Sequence, residues 1–164
     1  ALPYLPETVT FVIFGNGPDE AALKAHAATL GVSERVQFRG LISHDAMPRY
    51  LQACDIFIRP SRSEGMGNSF VEAMAAGLPV IGSQAGGIVD FLHTGEAPGP
   101  EQTGWVVSPD DPQTIVTAVT AIMSDPSAVA AVTKRASAMV AEHYDWDVVA
   151  KRMHAEVFTP LWRA

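Results

Sequence analysis

Residues 59–83 read RPSRSEGMGNSFVEAMAAGLPVIGS. An apolar strand pattern ends at Pro60, and a glycine-bearing loop follows. A run of small and apolar residues then starts at Asn68 with helical spacing and stops at Gly77. Leu78 to Ser83 return to a strand pattern. Strand, loop, helix and strand in so short a span form the repeating unit of a parallel α/β sheet. Two carboxylates sit at its turning point: Glu64 opens the loop, and Glu72 falls on the second turn of the helix.

The same alternation extends in both directions. Strand patterns are read at 8–15 (TVTFVIFG), 35–40, 55–60, 78–83 and 103–109. Helices are read at 19–31, where Leu23 and Leu30 have helical spacing, and at 44–54, with Pro48 in the first turn. Further helices are read at 68–77, 87–92, 112–123 (capped by Asp111), 126–142 and from the cap Asp145 to about 161. The expected fold is α/β: a Rossmann-like three-layer α/β/α domain with a parallel sheet of at least five strands and a helical C-terminal tail. Ligands of such sheets bind beyond the carboxyl ends of the strands. GNGP (15–18), GLIS (40–43), RPSRSEGMG (59–67) and SQAGG (83–87) all belong to that rim.

Composition narrows the ligand. The chain has 164 residues, about one domain, and a net charge of −7, which argues against a nucleic-acid surface. An anionic ligand must then be held by local geometry rather than by a basic field. The single cysteine, Cys54, excludes an internal disulfide and reads as a core-facing thiol at a helix end; it fits a reducing, cytoplasmic compartment, with the inner face of a membrane as the alternative setting for the whole protein. No apolar run is long enough to span a bilayer. No His, Cys, Asp or Glu cluster has metal-ligand spacing, so neither a metal nor a cofactor is expected. His26, His44, His143 and His154 fall on expected helices and read as structural; His93 opens a Gly/Pro insertion (93–104) and reads as solvent-facing. That insertion is either a solvated surface loop or a flap over the site.

The loop chemistry is specific. A helix start exposes unpaired N–H groups and partial positive charge, and Gly65 and Gly67 clear side chains from the backbone in front of Asn68. That is a cradle for phosphate or diphosphate. A carboxylate beside it makes sense if it accepts hydrogen bonds from vicinal hydroxyls. Phosphate and polyol together indicate a sugar nucleotide. The residues alone leave a second reading open, with Glu64 a solvated loop residue and Glu72 a surface helix residue.

The run PSRSEGMGNSFVEAMAAGLPVI resembles the E-x7-E segment of retaining glycosyltransferases of the GT-B fold, and most nearly those of glycosyltransferase family 4. FVIFGNGP, VQFRGLISHDAMPRYLQACDIFIRPS and AGGIVDFL also resemble that family, in the right order, from Thr8 to Val107. The resemblance implies the C-terminal, donor-binding domain, spanning 1–164, of an enzyme that moves a glycosyl group from a nucleotide diphosphate sugar to an acceptor hydroxyl. It implies that Glu64 contacts the donor sugar and acts in catalysis, and that Glu72 binds ribose. It places the amides around Gly65, Met66, Gly67 and Asn68 at the sugar and phosphates, Leu41 and Ile42 beside the base, and Gly15 and Gly17 along the same cleft.

The start departs from the family pattern. An extra strand and a basic Arg–Lys pair that would neutralise the diphosphate are not found before Thr8, and the acceptor domain is lacking. The expected partners are therefore the sugar nucleotide, the chain's own N-terminal domain and an acceptor of open identity. The rival readings are a sugar-nucleotide 2-epimerase of the same fold and a non-catalytic nucleotide-binding module. A nicotinamide-dependent oxidoreductase is disfavoured, because GNGPDE carries only G-x-G of the six-residue fingerprint.

Overall fold

Strand β4 (Val80–Gly82) sets the layers. Successive strand residues point to opposite faces, and fully buried Val80 and Ile81 enter two different apolar clusters. Val80 joins Phe70, Ala73 and Met74 of α3 (Asn68–Ala75), with Ala136 and Val140 of α5 (Pro126–His143). Ile81 joins Val116, Val119 and Ile122 of α4 (Pro112–Ser124), together with Leu5. The sheet is thus covered on both faces, as the alternation requires. At Gly82 an added Cβ would stand 2.5 Å from a ring atom of Phe70, so the ring can lie against the strand only because no side chain is there. The computed structural model describes residues 1–95 and 101–162.

Strands β3 (Phe57–Arg59) and β5 (Trp105–Val106) flank β4, both parallel to it. β1 (Phe11–Phe14) pairs in parallel with β2 (Val36–Gly40) in a separate sheet. This corrects the expected sheet of at least five: among the described residues five strands form and their ladders are parallel, but they divide into sheets of two and three. Alternating strand and helix patterns fix the direction of strands, not which edges meet. Pairing also needs the N–H and C=O groups of two edges within reach, and β1 and β3 share no ladder among the described residues.

The helices follow their punctuation. Asp111, Asp125 and Asp145 accept the backbone N–H of Gln113, Ala128 and Asp147, capping α4, α5 and α6 (Trp146–Met153). α6 runs through a π-helical turn (His154–Phe158) into α7 (Thr159–Trp162). α1 (Glu20–Thr29) forms where its spacing places it, yet Leu23 and Leu30 stay exposed and only Ala27 is buried. α2 (Met47–Gln52) starts later than expected, because Ser43's carbonyl accepts the N–H of Ala46 and Met47 in a preceding turn. His44 is therefore in a turn, not on a helix. Residues 86–90 wind as a 3-10 segment (Gly86–Asp90).

Cys54 follows α2 half-buried against the α3 core; burial first, then the charge of Asp55, pushes its thiol up. The insertion that opens at His93 is closed at its base. His93 and Thr103 exchange hydrogen bonds of 2.9 and 3.1 Å, and Thr103 also donates to Phe91's carbonyl. His93 is half-buried rather than solvent-facing. Residues 96–100, on which the flap reading rests, lie outside the described residues.

Candidate functional site

The site is built from β3 outward. The strand ends at Arg59, and Ser61 turns back to give its N–H to Arg59's carbonyl at 3.0 Å. Buried Ser83, just beyond β4, donates to the carbonyl of Ser61 and ties the loops after β3 and β4 together. A second tie lies farther along, where Gly87 donates to the carbonyl of Gly65 at 2.7 Å. The approach is so close that a Cβ on Gly86 would stand 1.9 Å from Glu64's carbonyl oxygen.

These ties shape the backbone between Glu64 and Asn68. Gly67 adopts φ +83°, in the left-handed region, and serves as the N-cap of α3 without any side-chain cap. Among the described residues, no backbone N–H from Gly65 through Ser69 has a protein acceptor. That leaves a row of donors at the positive end of α3. Met66 is exposed beside it.

The two carboxylates differ. Glu64's side chain is only 9% exposed. Its Oε1 accepts from Ser61 Oγ at 2.6 Å and pairs with Arg59 Nε at 2.7 Å. Glu72, on α3's second turn, is 39% exposed, and its Oε1 lies 4.0 Å from Nδ1 of His44. His44 lies in the loop after β2, two residues beyond Ile42, so Glu72 faces the GLIS loop. That loop in turn meets the GNGP turn: Gly15, at φ +115°, donates to Gly40's carbonyl at 2.7 Å, where the β1–β2 register shifts. Leu41 is exposed beyond it and Ile42 half-buried.

The expected residues therefore fall into two groups. Glu64, Gly65, Met66, Gly67 and Asn68 lie on the loop that Gly65 ties to Gly87, with Glu72 one turn on along α3; Leu41 and Ile42 follow Gly40, to which Gly15 is bonded, and Gly17 lies two residues past Gly15 with no bond to Gly40 among the described residues. The approach of His44 to Glu72 brings the loop after β2 against α3. Sequence reading gives His44 a structural place and Arg59 no ligand role, and neither is among the expected site residues. A cation as the last residue of the apolar strand IFIR was the available signal. Arg62 is held by Asp110 after β5, with its Nε at 2.9 Å, and the bond to Asp110 raises the guanidinium above its ordinary value. No three or more potential metal-ligating side chains gather among the described residues.

The comparisons with known proteins bear on this rim. The family model described as glycosyl transferases group 1 matches residues 1–139. The chain belongs to that family. Members similar to it include the lipopolysaccharide core biosynthesis mannosyltransferase of Rhizobium meliloti, 33% identical over 144 residues, with 88% of this chain and 39% of that protein covered. The solved structure of the Anabaena protein HepE in complex with UDP superposes with a TM-score of 0.84 at 25% identity, covering 97% of this chain and 43% of that one. The C-terminal domain of a group 1 protein from Francisella tularensis shares the fold, with a TM-score of 0.71 at 24% identity over 84% of this chain and 70% of that domain. The α/β arrangement is that of the GT-B glycosyltransferases. The chain spans between 20% and 41% of the length of these curated family members, 39% for the Rhizobium protein.

Proposed function

We propose that this chain is the donor-binding half of a retaining glycosyltransferase, which transfers a glycosyl group from a nucleotide diphosphate sugar to an acceptor hydroxyl. The observation that carries the reading is the unpaired amide row from Gly65 to Ser69, bracketed by Glu64 and Glu72. In this reading the amides take the phosphates, Glu72 accepts the ribose hydroxyls, and Glu64 holds hydroxyls of the donor sugar. Leu41 and Ile42 flank the base, and Gly15 and Gly17 line the same cleft. Two named likenesses support it: the Rhizobium relative is a mannosyltransferase, and the Anabaena structures hold UDP and UDP-glucose.

Catalysis would rest on charge. The leaving diphosphate gains negative charge as the glycosidic bond breaks, and preorganised N–H donors stabilise it without a metal. The E-x7-E pair, Glu64 and Glu72, then divides the work between sugar and ribose. The acceptor would be bound by an N-terminal domain, and the exposed apolar stripe of α6 and α7 offers a surface for that domain to cover.

The test is calorimetric titration and thermal shift of the full-length protein with UDP-glucose, GDP-mannose and NAD. Binding of one sugar nucleotide with a raised melting temperature, and no response to NAD, is expected. Binding of NAD alone contradicts the reading.

A further inference from the structure

Arg59 holds both ends of the amide row. Its Nε pairs with Glu64 Oε1 at 2.7 Å, and its Nη1 donates to Ser69 Oγ at 3.0 Å. Glu64 precedes the unpaired amides and Ser69 is the last of them, so one rigid guanidinium fork spans the loop from the end of β3 to the first turn of α3. Ser61 adds its hydroxyl to the same oxygen, Oε1, at 2.6 Å. Glu64 Oε2 has no protein partner among the described residues. One hydrogen bond from Ser61 and the ion pair with Arg59 meet on the same oxygen, which holds the carboxylate by Oε1 and leaves the other oxygen for a ligand hydroxyl.

The geometry points to Arg59 as a positioning residue for the transfer reaction: it sets the rotamer of Glu64 so that Oε2 faces the donor sugar. The assignment rests on the donor-binding reading above. It also removes an electrostatic difficulty in that reading. A bare carboxylate at the mouth of an anion cradle would repel a diphosphate, whereas the Arg59–Glu64 pair presents hydrogen-bonding oxygens with little net charge. Arg59 has no need to touch the ligand. Its Nη1 is bonded to Ser69 and its Nε lies against Glu64, and its influence passes through those two residues.

The experiment uses the full-length protein and measures release of UDP from UDP-glucose and of GDP from GDP-mannose, alongside calorimetric affinity for free UDP and GDP. Arg59→Leu is expected to lower kcat by about 10- to 100-fold, the scale of a misplaced reacting group, with KM and nucleotide affinity within about threefold of wild type. Arg59→Lys, which keeps the charge without the fork, should recover part of the loss. In a Glu64→Gln background, Arg59→Leu should cost less than about twofold more, because residues acting as one unit are not additive. If Arg59→Leu does not fold, Arg59→Gln serves the same comparisons. Wild-type kcat in the Arg59 variants overturns the assignment. So does a loss confined to nucleotide affinity, which would make Arg59 a phosphate contact, or a loss kept in full beside Glu64→Gln, which would make it structural. Absence of binding and release with both donors in the wild type would remove the donor-binding reading, and this assignment with it.

Discussion

Helix α3 and the helical tail carry the same kind of pattern and meet opposite fates. In α3, Phe70, Ala73 and Met74 recur at helical spacing and are fully buried between β4 and α5. In the tail, Trp146, Met153, Val157, Leu161 and Trp162 also recur at helical spacing, yet Trp146 is 84% and Trp162 89% exposed. The difference teaches what patterning specifies. Periodicity chooses a face, but burial needs a second surface. For α3 that surface comes from the same sheet unit a few residues on. For the tail the described residues supply none beyond the half-buried start at Val148 and Val149. On the proposed reading, the cover is the acceptor domain.

The largest effect expected from breaking this contrast is at Phe70. Its ring packs edge-on against Phe57 at 5.1 Å and tilted against Phe91 at 6.3 Å. Phe70→Ala should cost about 3–5 kcal/mol in urea unfolding, a large share of a domain's usual stability. A cost below about 1 kcal/mol would mean that α3 is not the centre of the core.

Next come two glycines of similar backbone. Gly86 and Gly77 have φ of +55° and +80°, but a Cβ at Gly86 meets Glu64's carbonyl oxygen while one at Gly77 meets nothing within 4 Å. Gly77→Ala should cost only the left-handed backbone, about 1–2 kcal/mol. Gly86→Ala adds overpacking of about 1–3 kcal/mol and should part the two site loops. Equal losses in melting experiments would show that the loops are not locked as described.

The tail should respond in the opposite sense. Trp162→Ser in this chain should change stability by less than about 0.5 kcal/mol. The same change in the full-length protein should cost about 1.5–3 kcal/mol, the worth of a buried large side chain. Equal small effects in both would leave the stripe without a covering domain.

The smallest effect concerns the cap of α5, the helix that covers α3. Hydrogen bonds from the Ala128 N–H and then the Ser127 hydroxyl hold the Asp125 carboxyl below its ordinary value. A depressed folded value means that the contribution is present above the unfolded value and fades as pH falls through the folded one. Melting temperature should therefore drop slightly more on acidification in wild type than in Asp125→Asn. Identical acid profiles would show that the cap carries no charge-linked stability.

Much of this was legible from local chemistry. Pro60, Gly77 and the aspartate caps punctuate the chain, and a cap needs only its neighbours, so Asp111 and Asp145 were readable one residue at a time. Glu64, Gly67 and Glu72 were readable because a strand–loop–helix junction puts them on the rim. What stayed hidden is long-range. Which strand edges pair depends on residues far apart in sequence, hence the division into two sheets. His44 meets Glu72 across 28 positions, which no periodicity reports. Arg59 was visible as an odd cation, but its role depends on the loop folding back to bring Glu64 within 2.7 Å.

The central claim is that the rim after β3 binds a sugar nucleotide with its two carboxylates in different roles. The most direct measurement is calorimetric titration of UDP and GDP into full-length wild type, Glu72→Ala and Glu64→Ala, paired with donor-dependent kinetics. A carboxylate accepting two ribose hydroxyls makes bonds worth about 1.5–3 kcal/mol each. With water replacing part of the loss, Glu72→Ala should weaken nucleotide affinity roughly ten- to several-hundred-fold. Glu64→Ala should leave nucleotide affinity nearly intact and lower turnover. Wild-type nucleotide affinity in Glu72→Ala would contradict the account, whatever happened to the rate.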